Sequence, residues 1–214
     1  HRCCYDASSG VSGGSLADRG RRPFSNMKFH PVSFVSMPWH YLSSPSIQLG
    51  LLQAMTEQAE VPCRSHSFHL QLQLDLCERD RGARDRFLVE DYVVVSDRWA
   101  HVGAGEWVFA VPPVSRPTPA KDARYKDLLR ARGMPNGLLR KLVALRERVP
   151  AFLERCADEI LAGGPAAVGF TTTYGQTLPS LALASLLKRR DPNIRIVLGG
   201  ASCEDRMGPA LLRS

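Results

Sequence analysis

The sequence lacks any long hydrophobic run. No apolar stretch approaches the roughly 18 residues that a membrane-spanning helix needs. Residues 1–26 also contain no apolar segment of the kind that forms a secretory signal. We therefore expect a cytoplasmic protein with no membrane partner.

Motifs that hold metals and nucleotides are missing as well. The six cysteines form neither a CxxC pair nor a CxxxCxxC triplet, which argues against a zinc or iron–sulfur site within this sequence and favours reduced thiols. Neither GxGxxG nor GxxxxGK[ST] occurs, so a standard dinucleotide site and a P-loop are not expected.

Aromatic residues are few, at 7%, although the formal net charge is +7. A nucleic-acid surface would need basic stretches with interleaved aromatics for base stacking. Here the basic residues stand beside acids, as in 77–86 and 140–159, which is typical of solvated helical faces. No nucleic-acid partner is expected.

What is present divides into a tail and a domain. Residues 1–27 are rich in Gly, Ser and Arg and predict either a disordered tail or sequence translated upstream of a true start at Met27. Residues 28–214 form the domain. Because the chain starts at His1 and stops at Ser214, in the first turns of a predicted helix, we expect a fragment whose sheet is incomplete at its C-terminus.

The first half of the domain predicts strand, helix, strand. The first strand covers Val32–Met37, and a helix follows over about 45–59. The strict alternation over 67–74, within 61–74, predicts a second strand and places His66 and His69 on its opposite faces. Residues 86–114 are expected to mix short apolar pieces with turns.

A helical pair over about 121–162 is predicted as an insertion between the two halves of the sheet. Gly133–Pro135 separates its helices, and an apolar stripe runs along the second. That stripe consists of Leu138, Leu139, Leu142, Leu145, Val149, Phe152, Leu153, Cys156 and Ile160. Pro150 lies within it and is expected to kink or split the helix.

The last part, 165–214, predicts a β-α-β unit. Two apolar strands, 166–170 and 194–198, flank a helix over 178–190, and Gly199–Gly200 follows the second strand. The fold class is therefore α/β, with a Rossmann-like parallel sheet and helices on both faces.

Three loops follow predicted strands at the edge where such sheets bind ligands, namely 38–48, 171–176 and 199–203. Their Ser, Thr and Gly residues suit a large ligand with amide or phosphate groups. The alternative that these loops have a purely structural role stays open. A Gly-Gly pair is often no more than a turn with positive φ, and a Thr run is often no more than the entry to a helix.

The histidines and Cys203 give weaker indications of function than the three loops do. His40, His66, His69 and His101 are not spaced as metal ligands on one helix, so each is interpreted as a solvated or hydrogen-bonded histidine. Cys203 beside the Gly-Gly loop could be a nucleophile, but no histidine is paired with it by motif, which favours an incidental thiol. No catalytic residue and no metal ligand is predicted.

Several motifs, in their order, resemble a known family. They are 34–39, 44–52 and 106–109, then 168–176, 180–184 and 196–203 with Met207–Gly208. Together they are similar to the cobalamin-binding-like N-terminal domain of radical S-adenosylmethionine enzymes that modify ribosomally made peptides. The resemblance covers about 30–214.

The resemblance implies a larger enzyme that modifies, and in particular C-methylates, a precursor peptide. Cobalamin would bind in this domain, while S-adenosylmethionine and a 4Fe–4S cluster would belong to a radical domain downstream of Ser214, so the fragment alone should be inactive. The DxHxxG signature is absent, which predicts no histidine beneath the cobalt.

Ten residues are predicted to contact the cofactor. One side of the site is formed by Ser44, Ser46 and Gln48; the corrin amides or nucleotide tail are contacted by Thr171, Thr172, Thr173 and Gln176; the floor is formed by Gly199, Gly200 and Ala201. The alternative hypothesis is a non-catalytic domain that recognises the precursor peptide through 121–162 and has lost cobalamin binding.

Overall fold

The computed structural model of the chain describes residues 30–79, 86–173, 175–204 and 207–211. Four parallel strands form one sheet in the order β2-β1-β3-β4, with β1 at Val32–Ser36, β2 at Cys63–Ser67, β3 at Ala167–Thr171 and β4 at Arg195–Gly199. Helices flank this sheet, which confirms the predicted α/β, Rossmann-like fold class. The predicted tail, 1–27, lies outside the described residues.

The first crossover forms as the sequence predicts. Helix α1, Ile47–Gln58, begins at Ser46, whose side chain accepts a hydrogen bond from the Leu49 amide at 3.3 Å. This is an ordinary N-cap, which satisfies one of the free amides at a helix start. The helix returns the chain to β2, which pairs in parallel with β1.

The predicted second strand is only partly right. The strand ends at Ser67, and the alternating segment after it is helix α2, Phe68–Arg79. A strand would put Leu70 and Leu74 on the same face as Phe68 and Leu72, but both are exposed in the structure. The buried positions Phe68, Leu72 and Leu76 are four residues apart, so burial on a helical period decides the local structure.

That correction also changes the histidines. His66 lies on β2 and His69 lies in the first turn of α2, so they do not occupy opposite faces of one strand. His66 Nδ1 pairs with the Glu159 carboxylate at 2.9 Å, whereas His69 lies beside His40.

The middle of the chain is more helical than the sequence indicates. It contains α3, Val89–Ser96, then a 3₁₀ turn, Ala100–Val102, and α4, Ala104–Phe109. The predicted helical pair follows as α5, Pro119–Ala131, and α6, Asn136–Ala162. Thr118 caps α5 by accepting a hydrogen bond from the Lys121 amide at 3.3 Å, with Pro119 in the first turn.

Helix α6 runs unbroken through Pro150, so the predicted split does not occur. All nine residues of its predicted apolar stripe are buried. Because this stripe packs along the whole helix, it offsets the hydrogen bond that proline removes. None of the described helices has the length and apolar character needed to cross a membrane.

The final β-α-β unit matches the prediction closely. Helix α7, Thr177–Arg190, connects β3 to β4, and a 3₁₀ turn, Ala201–Cys203, and the short helix α8, Met207–Leu211, follow. Helix α7 packs against α6 and α4.

The two faces of the sheet carry different helices. His66, in register with Val35 and Phe170, contacts Glu159 of α6, so these residues mark the α6 face. Ser65 is in register with Phe34 and donates to the Gln53 side chain of α1 at 2.7 Å, which marks the α1 face. On the α1 face, Val197 of β4 is 58% exposed.

Candidate functional site

The strand order reverses between β1 and β3. From β1 the chain crosses to β2 on one side, while β3 and β4 lie on the other. Ser36 and Thr171 end these two strands in register, so the loops that follow them start side by side at the crevice that such a reversal of strand order creates. Ligands of open α/β sheets bind at this kind of switch point, outside the carboxyl ends of the strands.

A cavity of about 350 Å³ opens at this crevice, and we call it the edge pocket. It is lined by Trp39, His40, Tyr41, Ser44, Pro45, Ile47, Gln48, Ser96 and Thr173. Three of the predicted site residues, Ser44, Gln48 and Thr173, therefore share one cavity. Ser46 lies beside them, because its hydroxyl donates to Gln48 Oε1 at 3.1 Å while it caps α1.

Two buried ring nitrogens belong to residues of the edge pocket. Trp39 Nε1 and His40 Nε2 have no hydrogen-bond partner within the described part of the chain. A buried polar group without a partner costs about 1–3 kcal/mol.

A second cavity, of about 270 Å³, lies on the α1 face of the sheet; we call it the sheet groove. Apart from Thr171 its lining is apolar or glycine, and it consists of Val32, Phe34, Leu49, Leu52, Ala167, Gly169, Phe170, Thr171, Val197 and Gly199. The glycines keep it open: a Cβ on Gly169 would lie 3.3 Å from Phe34 Cδ1.

Three other predicted contacts, Thr171, Thr172 and Gln176, are buried and use their side chains inside the protein. Thr172 Oγ1 donates to the Gly199 carbonyl at 3.0 Å. Gln176 Nε2 donates to Ser36 Oγ at 3.1 Å and to the Met37 carbonyl at 2.5 Å. These side chains fix the two switch-point loops to each other, and shape the site through the backbone.

The floor residues Gly199, Gly200 and Ala201 are exposed. Gly200 has φ +113°, and a Cβ there would lie 2.7 Å from the Thr172 carbonyl oxygen. The Ser202 amide donates to that same oxygen at 3.1 Å. Glycine is thus required at position 200 by the positive φ of the turn and by the close approach of the Thr172 backbone. The backbone of residues 199–201 is exposed, so a ligand could reach it.

Glu106 is a residue of this region whose role the sequence did not reveal. Its carboxylate oxygens accept hydrogen bonds from the Thr177 amide at 3.0 Å and the Leu178 amide at 2.5 Å, at the start of α7. Burial raises the pKa of Glu106, although these two bonds act in the opposite direction. The sequence signal was indirect: Gln176, which is not among the preferred N-cap residues, stands at the start of α7.

Cys203 is half-buried, with its Sγ 3.2 Å from Thr172 Oγ1. Within the described ranges, no three His, Cys, Asp or Glu side chains come together as a metal-binding group. Neither observation identifies a nucleophile or a three-ligand metal centre there.

The fold and the edge pocket define a class: a doubly wound parallel α/β domain with a cavity at its topological switch point. No protein-family model matches the chain, and neither a curated protein nor a solved structure matches it.

Proposed function

We propose that this domain binds cobalamin at the switch point and serves an enzyme that modifies a ribosomally made peptide. The observation that carries the proposal is the pairing of an edge pocket that contains several polar side chains with a fully apolar groove, around the start of α1. A cofactor with an amide-rimmed ring and a long nucleotide tail needs both kinds of surface. The motif resemblance supports the same conclusion.

The residues present fit such a cofactor. Ser44, Gln48 and Thr173 would bind ring amides from the edge pocket. The flat end of the nucleotide tail would enter the sheet groove, between Val197 and the α1 side of β1. Gly199, Gly200 and Ala201 would let the cofactor approach the backbone.

Cobalamin would supply a transferable methyl group, while S-adenosylmethionine and a 4Fe–4S cluster would act in a separate radical domain. The residues of this chain would bind the cofactor, orient it and exclude water from the part that they cover. Thr172 and Gln176 would hold the loops in place, since their bonds join β1, β3 and β4.

The test is retention of hydroxocobalamin. After mixing and desalting, the protein should keep the visible absorption of the cofactor. Val197→Asp should weaken retention because it places a charge in the sheet groove, and its exposed position spares the fold. Val93→Asp, at an exposed position on α3, is the matched control. Absence of bound colour in the unaltered protein would refute cobalamin binding.

A second candidate function is recognition of the precursor peptide without cobalamin. A cavity of about 490 Å³ between α5 and α6 favours it. Its lining combines three basic residues and one acidic residue with apolar ones, namely Lys126, Arg130, Arg140 and Glu147 with Leu139 and Val143, so basic residues predominate. Such a surface is complementary to an amphipathic peptide with acidic residues.

Titration of a fluorescent precursor peptide discriminates between the two candidates. Lys126→Glu should weaken binding at this cavity, whereas Lys121→Glu, on the same helix but outside the lining, should not. Peptide binding without cobalamin retention supports the second candidate. The reverse result, cobalamin retention with no effect of Lys126→Glu, supports the first alone.

A further inference from the structure

His40 and His69 lie side by side at the carboxyl edge of the sheet. His40 belongs to the loop after β1, and His69 to the first turn of α2, directly after β2. Their ring centroids are 4.9 Å apart and their planes cross at 76°. His69 is only 2% exposed, whereas His40 is half-buried and lines the edge pocket.

Each ring leaves one buried nitrogen without a hydrogen-bond partner among the described residues, Nε2 in His40 and Nδ1 in His69. The backbone of Ser44 lies close enough to the His40 ring, and that of Ser36 close enough to the His69 ring, to favour an N–H on the side of the ring that faces it. A neutral imidazole has one N–H and one lone pair. When the N–H is donated to the backbone, the lone pair remains on the unpartnered nitrogen.

Burial disfavours the charged form of both rings. It lowers the pKa of His40, and it lowers the pKa of His69 to about 4, with a further contribution from the nearby His40. Neutral imidazole is the form that binds metals. The backbone of His40 is also fixed, because Tyr92 Oη donates to its carbonyl oxygen at 2.9 Å.

We propose that His40 Nε2 and His69 Nδ1 bind one divalent transition-metal ion of the zinc type, at a buried site next to the edge pocket. At Zn–N distances of about 2.0–2.1 Å, two imidazoles on one ion place their ring centroids about 5 Å apart. A backbone oxygen on the opposite ring nitrogen is the usual support for a metal-binding histidine. Nitrogen ligands select Zn²⁺, Co²⁺, Ni²⁺ or Cu²⁺ over Mg²⁺ and Ca²⁺.

His66 provides an internal contrast. Its Nε2 is also buried without a partner among the described residues. Its ring, however, stacks on Phe68 at 5.3 Å, and its other nitrogen pairs with Glu159. Among the residues that the structure describes, no second histidine ring contacts it. His66 therefore shares the burial of the other two histidines but lacks their paired geometry.

The test uses Zn²⁺ alone, on protein treated with a chelator and then dialysed. Calorimetry should detect one bound Zn²⁺, and Co²⁺ should give the visible absorption of a protein-bound ion. His69→Gln and His40→Gln should each weaken Zn²⁺ binding more than about tenfold. His101→Gln, at an exposed position, should leave the affinity unchanged.

His40→Gln guards against a folding artefact, because this residue is half-buried in a loop; circular dichroism checks both variants. Failure of the unaltered protein to bind Zn²⁺ overturns the proposal and leaves a water-bridged pair. Binding that survives both substitutions overturns it as well, because the ion then lies elsewhere. The measurement contains no cobalamin, so it is independent of the proposed function.

Discussion

The two faces of the sheet differ in how completely they are covered. On the α6 face, Val168 and Phe170 are buried beneath two long helices. On the α1 face, one twelve-residue helix covers part of the sheet, and Val197 and much of the apolar surface of α1 are exposed. The closed face supplies the core, and the open face leaves apolar surface exposed within the described part of the chain.

The largest difference in stability between the two faces is expected when a leucine on each face is replaced by alanine. Leu142 on α6 is fully buried, whereas Leu51 on α1 is 60% exposed. Leu142→Ala should lower the free energy of unfolding by about 2–5 kcal/mol, because it leaves a cavity in the core. Leu51→Ala should change it by less than about 0.5 kcal/mol. Urea unfolding measures both, and comparable losses would show that α1 is covered as fully as α6.

A matched pair of strand valines gives a smaller effect. Val168 is 0% exposed and Val197 is 58% exposed. Val168→Ala should cost about 2 kcal/mol, from lost burial and the space left behind. Val197→Ala should cost about 0.5 kcal/mol or less. If Val197→Ala proves equally costly, the α1 face is not open in solution.

Glu106 of α4, which packs against the helices of the closed face, allows a test by the pH dependence of stability. Because burial raises its pKa in the folded protein, the native state holds a proton there more tightly than the unfolded chain does. The contribution of Glu106 to stability is therefore greatest below its unfolded pKa. It falls as pH rises through the raised folded pKa.

Glu106→Gln removes that dependence and costs about 1 kcal/mol, because the amide oxygen replaces only part of the cap on Thr177 and Leu178. The measurement is unfolding at a series of pH values. The unaltered protein should exceed the variant most at acidic pH and least at high pH. An advantage that grows with pH would contradict the raised pKa.

The sequence predicts those parts whose signals are local. The α6 stripe and the β3–α7–β4 unit depend on periodicity and on Gly and Pro boundaries within each segment. The failure at 67–74 has a physical reason. Its alternation fits a strand, and the four-residue spacing of Phe68, Leu72 and Leu76 fits a helix, so only packing decides.

The site was predictable as a set of loops and not as a set of contacts. Parallel strands with loops rich in Ser, Thr and Gly locate the edge. The sequence does not reveal that the side chains of Thr172 and Gln176 donate their hydrogen bonds to backbone carbonyls within the protein. In the sequence, His40 and His69 are far apart and give no sign of contact. Their rings meet only because His40 follows β1, His69 follows β2, and these two strands pair.

The smallest effect on stability is expected from polar substitution of the open face. Ile47 and Met55 on α1 are both exposed, so the double variant Ile47→Gln, Met55→Gln should keep its free energy of unfolding within about 0.5 kcal/mol. It should nevertheless bind less of an apolar dye such as ANS, because the two side chains form part of an exposed apolar patch. Leu70→Gln, at an exposed position on α2, is the control for general loss of apolar surface. Unchanged dye binding in the double variant, or an equal loss in the control, would mean that α1 binds apolar molecules no better than the rest of the surface does. Incomplete cover of the sheet would then not be enough to create a binding face.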